Sequence, residues 1–289
     1  MKKRLLFVAA IFAATATFAQ DGLTSKKGEA YLPEAGDFAL GFDANPFLNY
    51  AGNLFNGNTG NSIGAGATWF APNMAIYGKM FKDEKTAYRA MVRLGFGSNT
   101  QNSIANLFET PSALETKEFT NEVKSSYNNI VLGAGIEKRR GNTRIQGIYG
   151  GQLIIGFGGS STETSYGLAL NDSTVSANGS DIYALDGNGT GATSRTTEAK
   201  NGSTFMLGIA GFVGVEWFFA PKVSLGAEYT WGLSMNSTGE GETTTERWGV
   251  APGGTTNSLI TKTSKTGKSS SFGIDNGISG ARVSINFHF

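Results

Sequence analysis

His288 is the only histidine in a chain of 289 residues, and that narrows the chemistry open to it. A serine nucleophile or an activated water commonly needs a histidine as general base. His288 stands next to Phe289 in a run that alternates apolar and polar side chains, so a hydrogen-bonded interior role is expected for it. The carboxylate pairs offer no more. Asp83-Glu84 sits between Lys82 and Lys85 as a turn, and Asp37 and Asp43 share a strand-like run with no acid–base setting. Asp186-Gly187-Asn188-Gly189-Thr190-Gly191 has the spacing of the start of a calcium loop, but Thr197 occupies the twelfth position and Glu198 comes one residue late. A plain Gly-Asn turn is expected there. With no cysteine there is neither a thiolate metal site nor a disulfide. No catalytic set and no cofactor emerge, and no enzyme is expected.

The charges that do follow a pattern are Arg89, Arg93, Glu137, Arg144, Glu216, Glu228 and Arg282. They fall on the polar phase of runs that alternate with a period of two, which is the period of a strand. In Tyr88–Gly97 the even positions are mostly apolar and the odd ones hold Arg89, Arg93, Gly95 and Gly97. Val223, Leu225, Ala227, Tyr229, Trp231 and Leu233 alternate with Ser224, Gly226, Glu228, Thr230, Gly232 and Ser234, and the pattern returns in Ala281–Phe289. On closely spaced strands such mixed charges would pair with one another.

Eight strands are expected near 36–47, 73–81, 86–98, 125–139, 143–158, 203–219, 222–236 and 271–289. Three connections are short and turn-rich: Lys82-Asp83-Glu84-Lys85, Arg140-Gly141-Asn142 and Ala220-Pro221. The others, near 48–72, 99–124, 159–202 and 237–270, are long and rich in Asn, Gly, Ser and Thr. Short turns on one side and long loops on the other are the rhythm of a membrane-spanning antiparallel β-barrel, whereas long unstructured loops are uncommon in compact soluble domains. Ser165 to Leu170 and Ile182 to Leu185 could form an extra external hairpin or extend existing strands above the membrane. Grouped aromatics near strand ends (Trp69-Phe70, Trp217-Phe218-Phe219, Phe287 and Phe289) suit interfacial girdles.

Met1-Lys2-Lys3-Arg4, the apolar Leu5 to Ala13 and the small-residue stretch ending Thr17-Phe18-Ala19-Gln20 have the layout of a secretory signal peptide. Residues 1–19 are therefore expected to be removed, leaving a short periplasmic segment 20–35 and the barrel 36–289. Loss of three cations takes the formal charge from +1 to about −2, which gives no basic footprint for nucleic acid.

With this layout and the ending Val283-Ser284-Ile285-Asn286-Phe287-His288-Phe289, the chain resembles small outer-membrane β-barrel proteins of the OmpA and OmpX kind. Its opening Gly36–Phe47 is similar to barrel proteins of the Bacteroidetes. The resemblance implies an outer-membrane location, in contact with membrane lipid and lipopolysaccharide. It also implies that Ile285, Phe287 and Phe289 form the signal read by the barrel-assembly machinery. The chain stops at the last strand, so a peptidoglycan-binding domain is not expected. Asp172-Ser173-Thr174 resembles a short O-glycosylation signal of exported Bacteroidetes proteins. The function expected is structural, or recognition of an unidentified extracellular ligand through the outer loops. The alternative is a narrow porin-like path for ions or small solutes past the charged interior.

Overall fold

A computed structural model describes residues 23–44, 76–108, 116–172, 174, 194–274 and 280–289. Among them the chain is all-β: β1 (Phe38–Asp43), β2 (Ile76–Asp83), β3 (Thr86–Phe108), β4 (Thr116–Arg140), β5 (Ile145–Ser165), β6 (Arg195–Lys200), β7 (Thr204–Ala220), β8 (Val223–Thr238), β9 (Gly241–Val250), β10 (Asn257–Thr266), β11 (Ser269–Ile274) and β12 (Gly280–His288). Every pairing is antiparallel. β1, β2, β3, β4, β5, β7, β8 and β12 close into a ring of eight, because β1 pairs with both β2 and β12 while β7 joins β5 to β8.

The register sets the shape of the ring. A row of partners runs from Phe218 through Ser224, Asn286, Gly41, Tyr77, Met91, Gly133 and Ile154 and returns to β7 at position 208 instead of 218, a stagger of 10 residues. That stagger over eight strands about 4.8 Å apart tilts them by about 40° and gives a backbone radius of roughly 8 Å, which side chains can fill.

Alternation does the rest. Inward positions carry the charged and polar residues Lys79, Arg89, Glu137, Arg139, Glu216, Ser224 and Asn286, with Phe81, Ile148, Phe212 and Phe218 packed among them, all buried. Outward positions carry Tyr88, Val92, Leu94 and Phe96 on β3, Leu132 and Ile136 on β4, Leu153 and Phe157 on β5, and Tyr229, Trp231 and Leu233 on β8, all exposed. Further along the same strands the outward residues turn polar, as at Ser98 and Thr100, Ser126 and Lys124, Ser161 and Glu163. The apolar surface is thus a band around the ring.

The expected count of eight strands holds for the ring but not for the sheet, which has 12. The stretches 99–124, 159–202 and 237–270 are not open loops throughout. β3 and β4 stay paired to Phe108↔Thr116, β6 lies between β5 and β9, and β9 and β10 form a hairpin of ten paired positions. These segments meet solvent on both faces, so they lack the apolar alternation by which a strand is read from sequence. Ser165–Leu170 supplies no extra hairpin, since β5 ends at Ser165, and Ile182–Leu185 lies outside the described residues, as do 48–72 and 186–191. The expected last strand, 271–289, is described as two pieces, β11 and β12, that pair with successive parts of β8.

Turn chemistry matches local conformation. Asp83 Oδ1 accepts the Lys85 amide at 2.8 Å. At the β7–β8 turn, Lys222 takes φ 61°, the left-handed conformation, after Pro221 has set the preceding residue.

Close strand contacts make some glycines irreplaceable. A Cβ on inward-facing Gly135 would stand 2.8 Å from Gln152 Cβ and 3.0 Å from its Cα, whereas one on outward-facing Gly151 would meet only Ala210 O at 3.7 Å. Gly135→Ala is expected to destabilise the fold by about 1–3 kcal/mol, while Gly151→Ala changes stability by less than about 0.5 kcal/mol. Urea midpoints of the two refolded variants test this, and equal midpoints would refute the close-packed register.

Candidate functional site: a charged core beneath a vestibule

The turn-proximal half of the ring is filled by an ion-pair network contributed by six strands. Lys79 Nζ on β2 lies 3.0 Å from Glu137 of β4 and 3.2 Å from Glu216 of β7. Arg139 Nη1 bridges the same two carboxylates at 2.9 and 2.6 Å. Arg89 of β3 donates through Nη2 to both Glu228 oxygens, at 3.1 and 3.0 Å, and lies 3.7 Å from Glu137. Arg282 of β12 closes on Glu228 at 2.7 Å. Four cations thus face three carboxylates.

Glu216 is fully buried, and its other oxygen accepts from Ser224 Oγ at 2.6 Å and Asn286 Nδ2 at 2.7 Å. Aromatic rings cover the guanidinium faces: Phe212 over Arg89 at 4.0 Å, Tyr77 over Arg282 at 3.2 Å, and Phe81 and Phe218 flanking Arg139 at 5.3 and 5.5 Å. These cation–π contacts help offset the guanidinium N–H groups that lack an acceptor. Phe218, expected in an interfacial girdle, is instead buried inside, 5.0 Å from the His288 ring.

Ser224, His288 and Glu216 lie together, but not as a catalytic triad. Ser224 Oγ is 3.1 Å and Glu216 Oε1 3.5 Å from the same imidazole nitrogen, Nε2, and Nδ1 has no hydrogen-bond partner among the described residues. A triad needs the carboxylate on the opposite nitrogen from the serine and a serine open to substrate. Here Ser224 gives its proton to Glu216, and all three side chains are buried.

Of the seven charges singled out from sequence, Arg89, Glu137, Glu216, Glu228 and Arg282 meet in this network. Arg93 and Arg144 do not. Arg93 points inward two rows further from the turns than Arg89, with Met91 between them, and forms no ion pair among the described residues. Arg144 precedes β5 and stacks under Tyr31 at 3.7 Å, so the 23–35 segment packs against the turn end of the ring. Lys79 and Arg139 were missed. Strand parity would have found them, since each sits two positions from an interior residue on its own strand, Tyr77 or Phe81 and Glu137. Ile285, Phe287 and Phe289 lie on the outward phase of the last strand, with Phe287 and Phe289 exposed.

Above the network the interior opens. Arg93, Val131, Gly156, Met206 and Asn236 form one continuous row of partners across five strands, and they line a cavity of about 880 Å³ together with Tyr127, Asn129, Gly158, Thr204 and Thr238. Glycines at inward positions 95, 97, 156 and 158 leave the room. The Tyr127 ring lies across Gly97, where a Cβ would collide with it.

The chain matches no family model, no curated protein and no solved structure in these three comparisons.

Beyond the vestibule, residues 166–172 are fastened to β6, β9 and β10. Arg195 pairs with Glu246 at 2.6 Å, donates to Leu168 O at 2.8 Å and stacks 4.2 Å from Tyr166. Asp172 Oδ1 accepts from Trp248 Nε1 at 2.7 Å and Asn257 Nδ2 at 2.8 Å, and these bonds hold its carboxyl below the usual range. Thr174 is buried, its hydroxyl bonded to Ala169 O and Asn171 O. Ser173 lies outside the described residues. No cluster able to hold a metal occurs among the described residues.

Removing one member of a buried ion pair leaves the other charge without compensation. Glu216→Ala is expected to cost about 3–5 kcal/mol in urea unfolding. A loss under about 1 kcal/mol, the range of exposed pairs, would show that the network is hydrated. At the turn end, partial burial raises the Asp37 carboxyl, but the Lys222 ammonium at 2.6 Å and the Glu34 amide at 2.9 Å outweigh it and hold Asp37 below its ordinary value. Its stabilisation is therefore present at neutral pH and is lost as pH falls below about 4 through the lowered value. Lys222→Met is expected to flatten that acid limb in a series of urea midpoints against pH.

Proposed function

We propose that this chain is an outer-membrane β-barrel protein without enzymatic activity. Its charged core closes the lumen, and its working surface is the polar sheet raised above the apolar band. The reading rests on one observation: the ring is polar inside and apolar outside. In a soluble β-protein the apolar face looks into the core. Here Phe96 is 66 %, Ile209 63 % and Trp231 52 % exposed while Glu137 and Glu216 are sealed at 0 %. Soluble monomers rarely expose a continuous apolar belt of this kind.

The belt has a suitable height. At about 40° of tilt each residue climbs roughly 2.5 Å along the ring axis, so Tyr88 to Phe96 spans about 20 Å, near the apolar band of about 25 Å on bacterial barrels. Closure also supports the reading, because hydrocarbon offers no partner to an open strand edge. In this orientation the short turns face the periplasm and β6, β9 and β10 stand outside the cell. The signal-peptide layout of residues 1–19 is consistent with export. Outward-facing Ile285, Phe287 and Phe289 are available to lipid, lipopolysaccharide and the assembly machinery.

Refolding the mature chain into lipid vesicles tests the proposal. A heat-modifiable gel band is expected. Trypsin is expected to cut at the outer Arg247, Lys262 and Lys265 and to spare the ring. A chain that stays folded and soluble without lipid or detergent would overturn the reading. In planar bilayers the closed core predicts no discrete openings. Reproducible openings, altered in Arg89→Ala or Glu228→Ala, would replace recognition with the narrow-channel alternative.

A further inference from the structure

The network and the vestibule differ in how far their groups are already partnered. Every charge in the core has a counter-charge within 3.2 Å. Arg93, two rows above Arg89, faces the cavity with no carboxylate among the described residues that line it. It lies over an interior that already holds one more cation than carboxylates among its described members: Lys79, Arg89, Arg139 and Arg282 against Glu137, Glu216 and Glu228. A low-dielectric wall focuses such a field, so the vestibule favours an anion.

The remaining lining specifies more than charge. Asn129, Asn236 and Thr204 point into the same space and make no side-chain hydrogen bond to another described residue. They offer donors and acceptors of both kinds. Tyr127 brings an aromatic face, and Val131 and Met206 an apolar wall. A volume of about 880 Å³ is within the range of small-molecule sites.

We propose that the vestibule binds a carboxylate-bearing, polyhydroxylated molecule of mono- or disaccharide size, with Arg93 pairing to the carboxylate. Asn129, Asn236 and Thr204 hydrogen-bond its hydroxyl groups, and Tyr127 covers its less polar face. The planar fork of arginine suits a carboxylate in two-point contact. This deepens the reading of the chain as a recognition protein and rests on it.

The test is calorimetric titration of the refolded mature chain with glucuronate, glucose and acetate, in a zwitterionic detergent that carries no sugar headgroup. Saturable glucuronate binding is expected, about tenfold or more tighter than glucose or acetate, because a charge-assisted pair and the hydroxyl contacts are both required. Arg93→Gln is expected to bring glucuronate down to the level of glucose, and Asn129→Leu to weaken glucuronate while leaving acetate unchanged. Arg93→Lys, which keeps the charge without the fork, is expected to fall between them and serves if Arg93→Gln does not fold. Absence of saturable glucuronate binding, equal affinity for acetate, or indifference to both Arg93 variants would overturn the proposal. Heat-modifiable mobility is scored separately, and the titration is run on whichever folded form it identifies. A chain that inserts in lipid but ignores glucuronate refutes the vestibule site alone, while one that folds in water refutes the membrane reading.

Discussion

Glu216 is a charge with no exposure to solvent, and it can stay ionised only because partners from other strands reach it at once. Lys79 comes from β2, Arg139 from β4, Ser224 from β8 and Asn286 from β12. β2 and β4 lie toward the start of the sheet and β8 and β12 toward its end, and the two sets face one another across the interior only when β1 pairs with β12. Desolvating a carboxylate costs several kcal/mol unless hydrogen bonds and opposite charges replace water. Ring closure and the charged core therefore require one another. The closed ring removes water from the interior, and the network makes a dry polar interior tolerable.

The same dependence explains where the interior is filled and where it is hollow. A ring of this stagger has one radius along its length, so the difference lies in side-chain volume. Near the turns, Phe81, Phe212, Phe218 and three arginines fill the space. At the vestibule, glycines replace them at inward positions. Glycine weakens a strand, and Tyr127 recovers part of that loss by laying its ring across Gly97. The hollow thus coincides with the residues that cost strand stability, and with an arginine that forms no internal ion pair.

Much of the ring was legible in the sequence, because a strand with one apolar and one polar face writes its period into the residues. Val223–Leu233 and Ala281–Phe289 show it clearly, and five of the seven charges read from that phase meet in the core. Arg93 and Arg144 stay outside the ion pairs for a reason the period cannot show. Parity tells which face a residue occupies but not its height along the ring, and height decides whether a carboxylate is within reach. The outer strands β9 and β10 were missed because Thr243, Thr244, Thr261 and Thr263 look the same on a solvated strand as in a polar loop. Phe218 was misplaced because grouping alone was used where parity put it beside Glu216.

The outer sheet poses the opposite physical problem from the ring. β10 is exposed along nearly its whole length, so burial contributes little, and a lone polar hairpin is marginal in water. Its order comes from being continuous with longer strands. β3, β4 and β5 carry their hydrogen-bond ladders past the apolar band, β6 extends the sheet from β5, and β9 adds to β6. The Arg195–Glu246 pair, 5 % and 16 % exposed, secures that step, and Asp172 fastens the adjoining loop to Trp248 and Asn257. Cross-strand contacts such as Thr244 with Thr263 and Lys265 with Glu242 add the small increments typical of exposed pairs. Lysines 262 and 265 on the outermost strand discourage further pairing at its edge. A polar sheet held this way presents side chains at fixed spacing without an apolar core of its own, so its order depends on the ladders it inherits from the ring and not on burial.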